Sequence, residues 1–203
     1  MDTKNRILSG SENLFKRFGV RSVSMDDIAR DLGMSKKTLY QYFKNKADIV
    51  NGVIRCHIVE EEQKHTEIRQ QAENPIVEIM LLLKWIGESF EEIPASMVYD
   101  IQKYYPRAWN QFEDFKTDFI IEAIRDNLNR GISLGLYRPE MNVEIVAKTR
   151  MELVELVFDL DTFPPDQFNL AEVMIEQTLL FMHGIVSLKG KQFINEYLNQ
   201  TEA

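Results

Sequence analysis

A single cysteine, Cys56, stands in 203 residues, so no disulfide can form within the chain. A reducing, cytoplasmic setting is therefore expected. Nine glycines and six prolines are too few for a collagen-like repeat or a Pro/Gly-rich linker. Long apolar runs are also missing. The stretches Ile79 to Leu83 and Leu179 to Met182 are far too short to span a bilayer, and residues 1–10 hold no signal-peptide core. Sustained period-two alternation, the mark of strands, is nearly absent. The three histidines do not form a metal set. His57 adjoins Cys56, which points to another side of a helix, and His65 lies two turns further on, beyond the i,i+4 spacing of a zinc helix. No Gly-rich phosphate loop, nucleophile elbow or paired-cysteine motif occurs. The sequence thus predicts no catalytic residue, no metal and no cofactor.

What is present is a strong asymmetry of charge. The whole chain carries a net −8, with 44% hydrophobic and 28% charged residues, a globular profile. Residues 1–55 hold 11 basic and 6 acidic side chains, a net +5, whereas the remainder holds 13 and 26, a net −13. A basic N-terminal part can neutralise phosphates, and an acidic remainder is repelled by them, so the two parts are expected to meet different partners.

Helical periodicity runs through the chain. A first helix carries Ile7, Leu8, Leu14, Phe15 and Phe18 on one side and ends at Gly19. Ser24 and Asp27 resemble a capping box, opening a helix with Ile28, Ala29 and Leu32 inward and Gly33 at its end. Ser35 caps a third short helix with Leu39, Tyr40 and Phe43. A long fourth helix is predicted over 46–70, a fifth from Pro75 to about residue 91, and a segment over 96–105 ahead of Pro106. Further helices are expected over 107–133, 143–158 and 170–188, with a short one over 191–199. The expected fold class is all-α: a three-helix domain, residues 1–50, with the spacing of a helix-turn-helix, joined by a long helix to a larger helical domain, residues 51–203.

The segment from Ser24 to Phe43 has the form of a DNA-reading unit: two short helices, a tight turn, and a second helix offered to the major groove. Leu39 and Phe43, at i and i+4, anchor that second helix. Ser35, Lys37, Thr38, Gln41 and Tyr42 are left toward the opposite side, with Lys36 at the helix start. Lys36 and Lys37 can donate to guanine or to phosphate, Gln41 can pair with adenine, and the Thr38 methyl can touch thymine. Tyr42 and Lys46 are placed to clamp the sugar-phosphate backbone, and the helix ends at Ser24 and Lys46 offer N–H groups to phosphates.

The residues Phe18-Gly19-Val20, Ser24 to Ala29, Leu32-Gly33-Met34-Ser35, Thr38 to Phe43 and Asn45 to Asp48 resemble the TetR family of bacterial regulators over about residues 3–55. The resemblance implies a homodimer on double-stranded operator DNA and a C-terminal pocket whose small-molecule effector releases the DNA. It puts Ser24, Thr38, Tyr42 and Lys46 at usual phosphate contacts, and Lys36, Lys37 and Gln41 at variable, base-reading positions. Two departures stand out: Lys37 occupies a place where many members have glycine, and Met34 replaces a common valine.

Beyond residue 140 two helices are apolar on more than one face, which points to a second partner. Val154, Phe158, Met174, Thr178, Phe181 and Ile185 are the candidate dimer interface. Ahead of them lies an aromatic-rich region, from which Trp85, Tyr99, Tyr104, Trp109 and Phe112, with Met151, are candidates to line an effector pocket. Pro106 breaks the helix beside Lys103-Tyr104-Tyr105, marking a mobile wall. The leading reading is a cytoplasmic DNA-binding repressor. A helical-bundle carrier or enzyme is the competing class and predicts ligand retention without DNA binding. Repression and activation share the same DNA contacts.

Overall fold

The computed structural model describes residues 2–90, 93–159, 161–164 and 166–201, the side chains at 90, 95 and 196–201 excepted. Among these residues the chain forms eleven α-helices and no named strand. They are α1 (Thr3–Phe18), α2 (Met25–Asp31), α3 (Lys36–Tyr42), α4 (Lys46–Gln71), α5 (Pro75–Phe90), α6 (Ala95–Tyr104), α7 (Pro106–Phe115), α8 (Ile121–Ser133), α9 (Val143–Leu156), α10 (Leu170–Ile185) and α11 (Leu188–Thr201). A π-helical turn, Lys116–Ile120, separates α7 from α8. No described helix is long and apolar enough to cross a membrane.

The chain packs as two compact units, residues 1–62 with 92–115, and residues 63–91 with 116–203. The boundary expected at residue 50 falls inside α4. The first unit also takes in α6 and α7, because Met97, Ile101 and Ala108 are buried in one core with Ile7, Phe15, Ile28, Leu39, Ile49 and Val53. Helical spacing shows which face of α6 is apolar but not which neighbour covers it. Within this core α4 comes close to α1. A Cβ on Gly52 would stand 2.6 Å from Leu8 Cδ2, so the approach depends on a residue without a side chain.

The second unit buries Ile76, Leu128, Tyr137, Ala147 and Met182 together. A polar spine runs through it. The Tyr137 hydroxyl donates to Asn127 Oδ1 (2.9 Å), and Asn127 Nδ2 donates to the Pro75 carbonyl (3.0 Å). Around Glu78, Arg130 pairs at 2.6 Å, and Arg69 and Arg130 share Asp126 at 3.0 and 2.8 Å. These ties hold the end of α4, the start of α5 and α8 in one register.

Two helical expectations are refined. The helix expected over 107–133 is interrupted by the π turn, which carries the buried Lys116 into an ion pair with Glu155 (3.1 Å). The helix expected to reach residue 188 stops at Ile185, because Val186 turns extended (φ −69°, ψ 144°) and bridges Tyr137. The Arg138 N–H donates to the Ile185 carbonyl and the Ser187 N–H to the Leu136 carbonyl, both at 2.9 Å, and α11 starts at Leu188.

Candidate nucleic-acid interface and effector unit

The reading unit is rigid for local reasons. Ser24 Oγ accepts the Asp27 N–H (3.2 Å), while Asp27 Oδ2 accepts the Ser24 N–H (3.0 Å) and hydroxyl (2.5 Å). This reciprocal cap works with Asp where Glu is usual. Hydrogen bonds from the Ser24 side chain and backbone hold the Asp27 carboxyl below its ordinary pKa. Gly33 takes φ 61°, the left-handed conformation the turn requires. Arg6 reaches from α1 to the Leu32 carbonyl (2.6 Å) and pins the end of α2. Ser35 Oγ then accepts the Thr38 N–H (3.0 Å) and meets Thr38 Oγ1 at 2.8 Å, opening α3.

Leu39 and Phe43 are buried, and their line fixes which side of α3 faces out. Ser35, Lys36, Lys37, Gln41 and Tyr42 are exposed and Thr38 is half-buried. Tyr40, absent from the expected reading set, is 51% exposed. Being next to Leu39, it is rotated about 100° from the anchoring line. Phe18, expected on the inner side of α1, is 56% exposed with the Arg17 guanidinium 5.0 Å from its ring centre. It sits at the last residue of α1, past the stretch that the core covers.

Two cations of the expected set already have partners. Lys36 Nζ pairs with Asp26 at 2.6 Å, both groups being open to solvent. Lys46 Nζ donates to the carbonyls of Val20 (2.9 Å), Arg21 (3.1 Å) and Val23 (2.9 Å). Three acceptors use all three ammonium N–H groups, tying the start of α4 to the α1–α2 turn. Burial lowers the Lys46 pKa, with Asp100 opposing and Arg21 reinforcing the shift. Lys37 has no counterpart among the described ion pairs. Nearby, Arg21 lies 4.5 Å over the Tyr104 ring, and Lys103 lies 5.6 Å from that ring and donates to the Tyr99 hydroxyl (2.6 Å). Sequence reasoning had no signal for this pairing of α6 with the turn, which depends on residues about eighty positions apart.

The six residues expected to line an effector pocket do not fall in one unit. Tyr99, Tyr104, Trp109 and Phe112 belong to the first unit, Trp85 and Met151 to the second. Tyr99 and Tyr104 stand exposed beside Lys103, so they form an outer surface and not a wall. Trp109 packs on the first unit's core and lies 5.4 Å from the Phe112 ring. In the second unit Trp85 meets His65 edge-on at 6.1 Å, and His65 meets Phe119 at 5.8 Å. Burial lowers the His65 pKa to about 4, so this imidazole is neutral at pH 7.

The expected dimer set divides as well. Phe158, Met174, Thr178 and Ile185 are buried within the single chain, while Val154 and Phe181 are half-buried. The outermost apolar side chain on α10 is Leu180, 73% exposed. Sequence does not single it out, because a helix apolar on several faces does not show which face its own subunit covers.

Residues 7–53 match the family model described as bacterial regulatory proteins, tetR family. Over 185 residues the chain is 25% identical to the HTH-type transcriptional regulator YvaF of Bacillus subtilis, covering 90% of this chain and 95% of that one. The fold is similar to that of a TetR-family regulator from Agrobacterium tumefaciens, with a TM-score of 0.71, 17% identity, and 91% and 97% of the two chains covered. It is equally similar to SmeT in complex with triclosan, with a TM-score of 0.71, 17% identity and 92% of each chain covered. SmeT is the repressor of a multidrug efflux pump of Stenotrophomonas maltophilia.

Proposed function

We propose that this chain, a DNA-binding transcriptional regulator of the TetR family, is a cytoplasmic repressor that binds operator DNA as a homodimer and leaves it when a small molecule fills its second unit. The observation that carries the reading is α3: a short helix fixed by the buried Leu39 and Phe43 that presents Lys36, Lys37, Gln41 and Tyr42 to solvent. A helix held from behind and polar in front is what major-groove readout needs.

In this reading Lys37 and Gln41 read base edges, with Lys36 released from Asp26 to join them. Ser35, Thr38 and Tyr42 set the helix against the backbone. Ser24 and Lys46 act through their helix ends, whose N–H groups meet phosphates. One such helix covers few base pairs, so two copies on a two-fold site supply specificity. The partner copy is met by the outer faces of α9 and α10, with Leu180, Val154 and Phe181 at the contact. The effector enters the second unit, where Trp85 and Met151 offer apolar lining.

Fluorescence anisotropy on the promoter DNA flanking its own gene tests the reading. Binding is expected at a pseudo-palindrome, with a stoichiometry of two chains or a multiple of two, and it weakens steeply with salt. Absent or salt-independent binding at every neighbouring promoter overturns it.

A further inference from the structure

Among the described residues, the buried charges of the second unit come in pairs, with one exception. Lys116 has Glu155, and Glu78 has Arg130. Arg150, on α9 and only 8% exposed, has no carboxylate among the described residues. Its Nη2 donates to Thr178 Oγ1 (2.5 Å), and that hydroxyl in turn donates to the Met174 carbonyl (2.7 Å). Its Nη1 is buried without any hydrogen-bond partner. The Phe181 ring lies 5.5 Å from the guanidinium carbon. One turn before Phe181, Gln177 Oε1 is buried and unpartnered too. Desolvation lowers the Arg150 pKa to about 10, and no anion offsets it. A buried cation left unpaired is destabilising, and packed apolar residues in its place usually serve stability better. An arginine kept there without an anion is a group awaiting one.

We propose that Arg150 anchors the carboxylate of an amphipathic organic acid, the effector class of this regulator. The inference rests on reading the second unit as an effector domain. Nη1 carries two N–H groups with no acceptor, and a carboxylate oxygen meets one of them in a charge-assisted hydrogen bond. The surroundings supply the rest of the specificity. Met174 ends the hydrogen-bond chain and Ala147 lies one turn before Arg150 on α9, both apolar and buried, so the body of the acid is apolar. Gln177 accepts a hydroxyl or amide N–H of the same ligand. A second copy of the chain does not supply the anion, because Nη1 is already enclosed within one protomer.

The test titrates the intact protein with decanoate and with 4-phenylbutyrate, each beside its primary amide, by calorimetry. The proteins are the wild type, Arg150→Lys and Arg150→Met. The wild type is expected to bind at least one acid about tenfold or more tightly than its amide. Arg150→Met is expected to lose that preference while melting no lower than the wild type, since an unpaired charge has left the interior. A merely structural arginine gives the reverse, a lower melting temperature and an unchanged preference. Should Arg150→Met not fold, Arg150→Lys decides: its point charge lacks the planar fork, so the preference shrinks. Equal binding of acid and amide, no binding at about 1 mM, or a preference that survives the substitution overturns the proposal. Operator binding by the ligand-free protein is measured separately. If DNA binds and no acid does, the site fails and the regulator reading stands. If acids bind and DNA does not, that reading fails and the site stands.

Discussion

His57 Nε2 donates to Glu12 Oε1 across 3.1 Å, joining α4 to α1, and Lys16 meets the same carboxylate oxygen at 2.9 Å. Burial opposes the ionisation of Glu12. The hydrogen bonds from His57 and Lys16 outweigh it and hold the carboxyl at about 2. The bond to Glu12 raises the His57 pKa against a smaller desolvation effect. Stability from a raised histidine is complete below its unfolded value of about 6.5 and is lost as pH rises through the folded one. Stability from a depressed carboxyl is complete above about 4.5 and is lost as pH falls toward the folded value. The contribution of the Glu12–His57 pair, read as the urea-denaturation difference between wild type and variant, should therefore be greatest near pH 5 to 6. His57→Gln should flatten the alkaline limb, and Glu12→Gln should cost about 1–2 kcal/mol near pH 6. An alkaline limb unchanged in His57→Gln refutes the assignment.

Lys46 gives a test that separates positioning from phosphate contact. With its three N–H groups on the carbonyls of Val20, Arg21 and Val23, its removal should loosen the turn ahead of α2. Lys46→Ala should lower stability by about 1–2 kcal/mol and weaken every DNA sequence alike. The slope of log K against log salt should stay the same. A lysine that neutralises a phosphate instead reduces that slope by about 1 when removed. A reduced slope with unchanged stability would mean that Lys46 leaves the carbonyls on DNA.

Asp26 holds Lys36 at 2.6 Å and places a negative charge beside the reading face. Asp26→Asn should free the ammonium and remove a repulsion for phosphate. Non-specific affinity should rise about three- to tenfold at low salt, and discrimination between operator and random DNA should narrow. Gln41→Ala, in contrast, should cost about 1–3 kcal/mol on the operator alone and relax preference at one base pair. Anisotropy on matched and single-mismatch duplexes reads both effects. Identical losses on all duplexes for Gln41→Ala would remove it from base readout.

What was legible in the sequence follows from the range over which each feature is determined. The Ser24 and Ser35 caps, the Gly33 turn and the Leu39–Phe43 line are set within four residues, and the motif shows them directly. The assignment of α6 to the first unit depends on Met97 and Ile101 meeting residues more than forty positions away. The break at Val186 depends on Tyr137. No local pattern carries either. Arg150 carries no local signal either, because an isolated arginine on a helix is ordinarily solvated and only packing encloses it.

The outer face of α10 gives the last test. Met174, Thr178 and Ile185 are already enclosed by their own chain, so substitutions there report on the protomer's fold. Leu180, 73% exposed, has most of its side chain open to solvent in the protomer. Leu180→Arg should leave the helical circular dichroism spectrum unchanged and cost about 2–4 kcal/mol in self-association by placing two like charges across the two-fold axis. Light scattering on a dilution series should then find monomer at concentrations where the wild type is a dimer. Operator binding should fall with it, since a single α3 reads too few base pairs. If Leu180→Arg remains a full-strength dimer, the two-fold contact lies on another face, and Met174→Ala should then lower stability by about 2–4 kcal/mol without touching association.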